Sequence, residues 1–105
     1  MSWKIVYREE ALRDLQELDN AQRLLVLKSI RKVSGNPVPQ SEGGYGKPLG
    51  NIGGRNLTGL LKIKLRDAGL RIVYYLERVD ERMCVIVISV RDDDRVYQIA
   101  DQRLK

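Results

Sequence analysis

The chain has 105 residues, which suits one domain over residues 1–105 with a core of its own and no need of metals or disulfides. Hydrophobic residues make up 43%, outside the disordered range, and no apolar run approaches the roughly 18–20 residues that cross a bilayer. Nineteen basic residues against fourteen acidic ones give +5, and the whole excess lies between Gly46 and Arg78, where seven cations meet two carboxylates. A local excess of this kind fits a footprint for nucleic acid and equally an ordinary solvated surface. The opening Met1-Ser2-Trp3-Lys4 leads into no apolar signal region, and Cys84 has no second cysteine to pair with. A cytoplasmic location, with no membrane attachment, is the expectation.

Trp3 to Tyr7 (WKIVY) joins aromatic and β-branched residues and predicts a short strand. Glu9 to Leu18 predicts a helix, because two acids suit its positive end and Leu12, Leu15 and Leu18 recur at helical spacing. Asp19 or Asn20 can cap a second helix to about Val33, with Val26, Leu27, Ile30 and Val33 on one face. So tight a join makes an antiparallel helical hairpin. Gly35 to Gly54 then holds seven of the nine glycines and all three prolines, which predicts a long connector. Its Gly46-Lys47 pair is no phosphate loop, since Pro48 stands where such a loop needs Ser or Thr.

Beyond the connector the hydrophobic period becomes two. In Leu57 to Arg66, Leu61, Ile63 and Leu65 face one way and Lys62, Lys64 and Arg66 the other. Asp67-Ala68-Gly69 makes a turn into a strand from Leu70 to Glu77. Met83 to Val90 is apolar on both faces and predicts a central strand. A charged loop, Arg91 to Arg95, leads to a terminal helix from about Val96 to Leu104, which Asp93 or Asp94 can cap. The order is β-α-α-β-β-β-α. It implies an α+β fold with an antiparallel sheet packed against the N-terminal helical hairpin.

Lys62, Lys64, Arg71, Arg91 and Tyr97 stand out as candidates for chemistry. The two lysines share a strand face at roughly 6–7 Å, and the hairpin returns Arg71 beside them, on a face that depends on the register. Such a set suits a phosphodiester, because a guanidinium grips two phosphate oxygens and clustered cations lower each other's pKa from roughly 10.4 for lysine. Tyr97 can stack on a base or hydrogen-bond the reacting group. Alternatively, Lys62, Lys64 and Arg66 form a solvated strand face, Arg71 pairs with Asp67 or Glu77, and Tyr97 packs its ring on the sheet. The chain has no histidine, and Asp92-Asp93-Asp94 reads as a solvated loop with a helix cap rather than a metal site. Cys84, inside an apolar strand, reads as an inert core thiol. Neither metal nor cofactor is expected.

Leu61-Lys62-Ile63-Lys64-Leu65-Arg66, Gly69-Leu70-Arg71-Ile72-Val73-Tyr74, Val85-Ile86-Val87-Ile88-Ser89-Val90-Arg91 and Val96-Tyr97 together resemble the RelE toxins of the RelE/ParE superfamily of bacterial type II toxin–antitoxin systems. Glu10-Ala11-Leu12-Arg13-Asp14-Leu15 and Lys47-Pro48-Leu49 fit as well. The resemblance implies a metal-free endoribonuclease that cuts messenger RNA on the ribosome. The ribose 2′-hydroxyl attacks the adjacent phosphate. It implies Lys62 as general base, Lys64 as stabilising charge, Arg71 as the phosphate grip, Arg91 at the leaving group and Tyr97 orienting the RNA. Lys47, Arg55, Arg66 and Arg95 are the expected RNA-binding cations. A cognate antitoxin is the implied partner, forming a hetero-oligomer through an acidic or amphipathic segment on the basic face. The stretch from Arg91 to Tyr97 departs from the family in being shorter and more acidic, which makes Arg95 an alternative to Arg91. Two other functions stay open: a ParE-like inhibitor of DNA gyrase without nuclease activity, and an inactive module that keeps the basic face to hold its antitoxin.

Overall fold

The computed structural model describes residues 2–52, 54–90 and 92–104. Strand β1 (Lys4–Tyr7) leads into helices α1 (Glu9–Glu17) and α2 (Asn20–Ser34). Asp19 starts α2 through a capping box: its carboxylate accepts from Gln22 N, and the Gln22 side chain accepts from Asp19 N. Strands β2 (Lys47–Ile52), β3 (Arg55–Leu65), β4 (Leu70–Glu77) and β5 (Arg82–Ser89) follow, and helix α3 (Asp93–Arg103) closes the chain. One five-stranded sheet results, in the order β1-β5-β4-β3-β2.

The α+β class and the helical hairpin match the sequence expectation, and three details refine it. The connector contains a strand, β2, whose Pro48 is tolerated because β2 lies at the sheet edge. β1 runs parallel to β5, so the sheet is antiparallel everywhere except at that border. Helix α3 starts at Asp93 rather than near Val96, because Asp92, and not Asp93 or Asp94, is its cap and accepts from Arg95 N.

The sheet carries helices on both faces. Leu61, Leu70, Ile72, Tyr74, Val85 and Ile88 pack with Ala11, Val26, Ile30 and Val33 of the hairpin. Leu57, Leu60, Val73, Ile86 and Val87 pack with Val96, Tyr97 and Ala100 of α3. A register shift between β4 and β5 pairs Val73 with Val87 but Tyr74 with Val85. Ile86 is the extra residue, and the bulge lets Ile86 and its neighbour Val87 both serve the α3 face. Burial on both faces is why β5 shows no alternation in sequence.

The connector is tied to the core through Tyr74, whose buried hydroxyl donates to the Pro37 carbonyl at 2.8 Å. Burial also pushes the Tyr74 phenol well above its usual pKa. A Cβ at position 46 would lie 2.5 Å from that hydroxyl, so only glycine fits at Gly46. This close approach anchors the chain just before β2 and thereby sets Lys47 against the sheet.

Candidate functional site

The register decides what the sequence left open. Lys64 pairs directly with Arg71, and Lys62 with Val73. Directly opposed residues leave the same face of a sheet, so Lys62, Lys64 and Arg71 project together toward α3. Gly69, at φ +66°, closes the turn that fixes this pairing after a short 3-10 turn over Arg66–Ala68. Lys47 pairs with Lys62 from the other side and shares that face.

Helix α3 completes the cluster. Asp93 and Tyr97, four residues apart, lie on one helical face above the cations. Lys62 Nζ donates to the Tyr97 hydroxyl at 2.6 Å and lies 5.4 Å from the centre of its ring. The Tyr97 ring is packed in the core, 4% exposed, so its hydroxyl is the part that reaches the site. Stacking on a base is closed to it in this arrangement.

Asp93 is the residue that sequence reasoning missed. Its carboxylate accepts a short hydrogen bond from Arg71 Nε and lies 3.4 Å from Lys64 Nζ and 3.9 Å from Lys62 Nζ. Among the described residues this sets three cations around one carboxylate, for a net charge of +2 at the cluster. Burial alone would raise the Asp93 carboxyl. The hydrogen bond from Arg71, the charges of Lys62 and Arg71 and the hydrogen bond from Lys64 outweigh it and hold the group below its usual value. The reading of the three aspartates as a solvated loop holds for Asp92, the cap, and for exposed Asp94, but not for Asp93. The available signal was the spacing: with Asp92 as cap, Asp93 falls four residues before Tyr97 and so on its face.

The other candidates are placed as follows. Arg55 pairs with Asp94 at 3.5 Å. Arg66 is exposed and lines a groove of about 370 Å³ with Lys47, Lys64, Lys32 and Tyr45. Arg95 turns to Gln98 at 3.1 Å and lines a different cleft, with Asp14 and Glu17. Two residues past Asp93, it falls on the far side of α3 from the cluster. Arg91 lies outside the described residues. No group of three metal-ligating side chains is found among the described residues, and none of their helices is long and apolar enough to cross a membrane.

No family model matches the sequence. The chain is 30% identical over 106 residues to the mRNA interferase toxin RelE of Escherichia coli strain K12, covering 99% of each. It belongs to the RelE toxin family. A solved structure of a double-alanine variant of E. coli toxin RelE in the free state superimposes with a TM-score of 0.77 at 25% identity, over 100% of both chains. Another, of that RelE variant in complex with an antitoxin RelB peptide, covers 95% of each chain with a TM-score of 0.71 at 25% identity.

Proposed function

We propose that this RelE-family chain is the toxin of a toxin–antitoxin pair and an endoribonuclease that cleaves messenger RNA on the ribosome, in the cytoplasm. The observation that carries the reading is the convergence of Lys62, Lys64, Arg71 and the Tyr97 hydroxyl on one face of the sheet. The mRNA interferase name of its relative supports the same class.

In the proposed reaction Lys62 first releases a proton to solvent, and as the neutral amine it takes the proton of the 2′-hydroxyl. The hydroxyl oxygen attacks the adjacent phosphorus, and the bond from phosphorus to the 5′-oxygen breaks. The departing oxygen takes up a proton, leaving a cyclic phosphate and a free 5′-hydroxyl. Lys62 is suited to the base role by its hydrogen bond to Tyr97, which fixes the nitrogen end of a flexible stem. Arg71 grips the non-bridging oxygens, and Lys64 adds charge as the phosphorane develops. Leaving-group protonation is assigned to Arg91 in preference to Arg95, whose side chain is engaged with Gln98. Lys47 and Arg66, beside exposed Tyr45 in the adjoining groove, offer a path for the flanking strand. The partner is an antitoxin segment of acidic or amphipathic character, in line with the peptide complex of the related toxin.

Inducing the chain while mapping RNA 5′ ends, translation and DNA supercoiling in the same cells tests this. New 5′-hydroxyl ends within translated messages are expected. Intact messages with altered supercoiling would overturn the reading in favour of gyrase inhibition.

A further inference from the structure

Asp93 is the part of the cluster that the proposed reaction leaves unused. Its carboxylate presents one negative charge over two oxygens to Arg71, Lys64 and Lys62. A phosphodiester presents the same: one charge over two non-bridging oxygens on a common atom. A guanidinium fork and two ammonium groups bind either anion by the same contacts. Asp93 also stands on the first residue of α3, beside the loop, rather than within the sheet that carries the cations.

We propose that the Asp93 carboxylate occupies the seat of the scissile phosphate, and that substrate enters by displacing it from Lys62, Lys64 and Arg71. That the incoming anion is RNA rests on the nuclease reading; the exchange of one anion for another does not. Asp93 thereby becomes a specificity-determining residue. A tethered carboxylate acts as a competitor at an effective concentration on the order of millimolar or more. A loose phosphate, held by charge alone, loses that competition. A message held by further contacts elsewhere overcomes it. The exchange also leaves one anion at the seat before and after, so the cations are never exposed bare.

The test uses the full chain as wild type, Asp93→Asn and Asp93→Glu. Dimethyl phosphate is titrated while the ¹⁵N resonance of Arg71 Nε is followed, and a short RNA with 2′-O-methyl riboses reports affinity against salt. Asp93→Asn should bind dimethyl phosphate about tenfold more tightly, since the tethered competitor is gone. Its RNA affinity should rise with a salt slope steeper by about 0.7. Asp93→Glu keeps the charge and should stay near wild type. On programmed ribosomes, KM should fall for Asp93→Asn while kcat changes less than about threefold, a split tied to loss of ground-state competition. Equal or weaker dimethyl phosphate binding by Asp93→Asn would overturn the proposal and make the carboxylate an organiser of the cations. Should Asp93→Asn fail to fold, wild type carries the test. Dimethyl phosphate must then move the Asp93 carboxyl ¹³C resonance together with Arg71 Nε. Movement of Arg71 alone would sink the exchange. A wild type that cuts no message, alongside an Asp93→Asn variant that binds dimethyl phosphate more tightly, would sink the nuclease reading and leave the exchange standing.

Discussion

Two of the carboxylates that hold arginines, Asp14 and Asp93, do it differently. Asp14 of α1 takes two hydrogen bonds from Arg103 at the end of α3, at 2.7 and 3.0 Å. The same pair closes the open edge of β5 where β1 stops: Ile88 N donates to Asp14 at 3.0 Å, and Arg103 donates to the Ile86 carbonyl at 2.8 Å. There Asp14 and Arg103 form the ion pair, Glu10 and Glu17 add negative charge nearby, and Ile88 N and the Ile86 carbonyl are satisfied. At Asp93 one anion meets three cations. The first arrangement has no excess of positive charge and works as a clamp. The second keeps an excess of positive charge, which suits it to the proposed site. Charge stoichiometry, more than the presence of an ion pair, separates the two arrangements.

The sharpest way to break this contrast is at Arg71. Removing Arg71 by Arg71→Ala is expected to reduce single-turnover cleavage on programmed ribosomes by about 10²–10³, the effect of losing a dedicated oxyanion donor worth roughly 2.7–4 kcal/mol. Arg71→Lys should stay clearly impaired, because a point charge replaces a fork. The melting midpoint should move little, about 0–1 kcal/mol, because Asp93 is 36% exposed and keeps Lys62 and Lys64 as partners. An Arg71→Ala protein that cuts at the native rate would remove the site assignment. Arg103→Ala should show the reverse pattern at the clamp. It leaves Asp14, 16% exposed, without its cation, which should cost about 2–3 kcal/mol in urea unfolding, less than a fully buried pair because of that exposure. A stability near wild type would mean the clamp is ornamental.

The smallest expected effect is the acid dependence of Asp93. Its folded carboxyl is held below the ordinary value of 3.8. The stabilisation linked to that shift is complete above 3.8 and is lost as pH falls through the lower folded value. Thermal melts of wild type and Asp93→Asn should therefore differ at neutral pH and converge in acid. A gap that stays constant below pH 3 would show that Asp93 stabilises by packing and not by charge.

Much of this was legible in the sequence. The two hairpin helices, strands β1, β3, β4 and β5, and the alternation of Lys62 and Lys64 with Leu61, Ile63 and Leu65 follow from local sequence pattern alone. Register did not, because a shift of one residue would have turned Arg71 to the opposite face. The parallel partner of β1 was hidden too, since four residues carry no trace of which strand they join. β2 was masked by Pro48 and Gly50, residues that argue against a strand except at an edge. Asp93 was hidden by its neighbours, three identical residues of which one caps, one faces solvent and one enters the site.

Helix α3 carries both kinds of carboxylate contact on a single rigid rod. Arg103 pins one end against α1 and β5, while Asp93 and Tyr97 stand toward the other. Ten rises of about 1.5 Å separate Arg103 from Asp93, a lever arm of roughly 15 Å. A tilt of about 5° at the pinned end would swing the far end by roughly 1.3 Å, and a displacement near 1 Å at a reacting centre can cost about 10² in rate. The clamp therefore acts as an aiming device, and slack introduced at Asp14 would be read out as misalignment at Asp93, on the far side of the sheet.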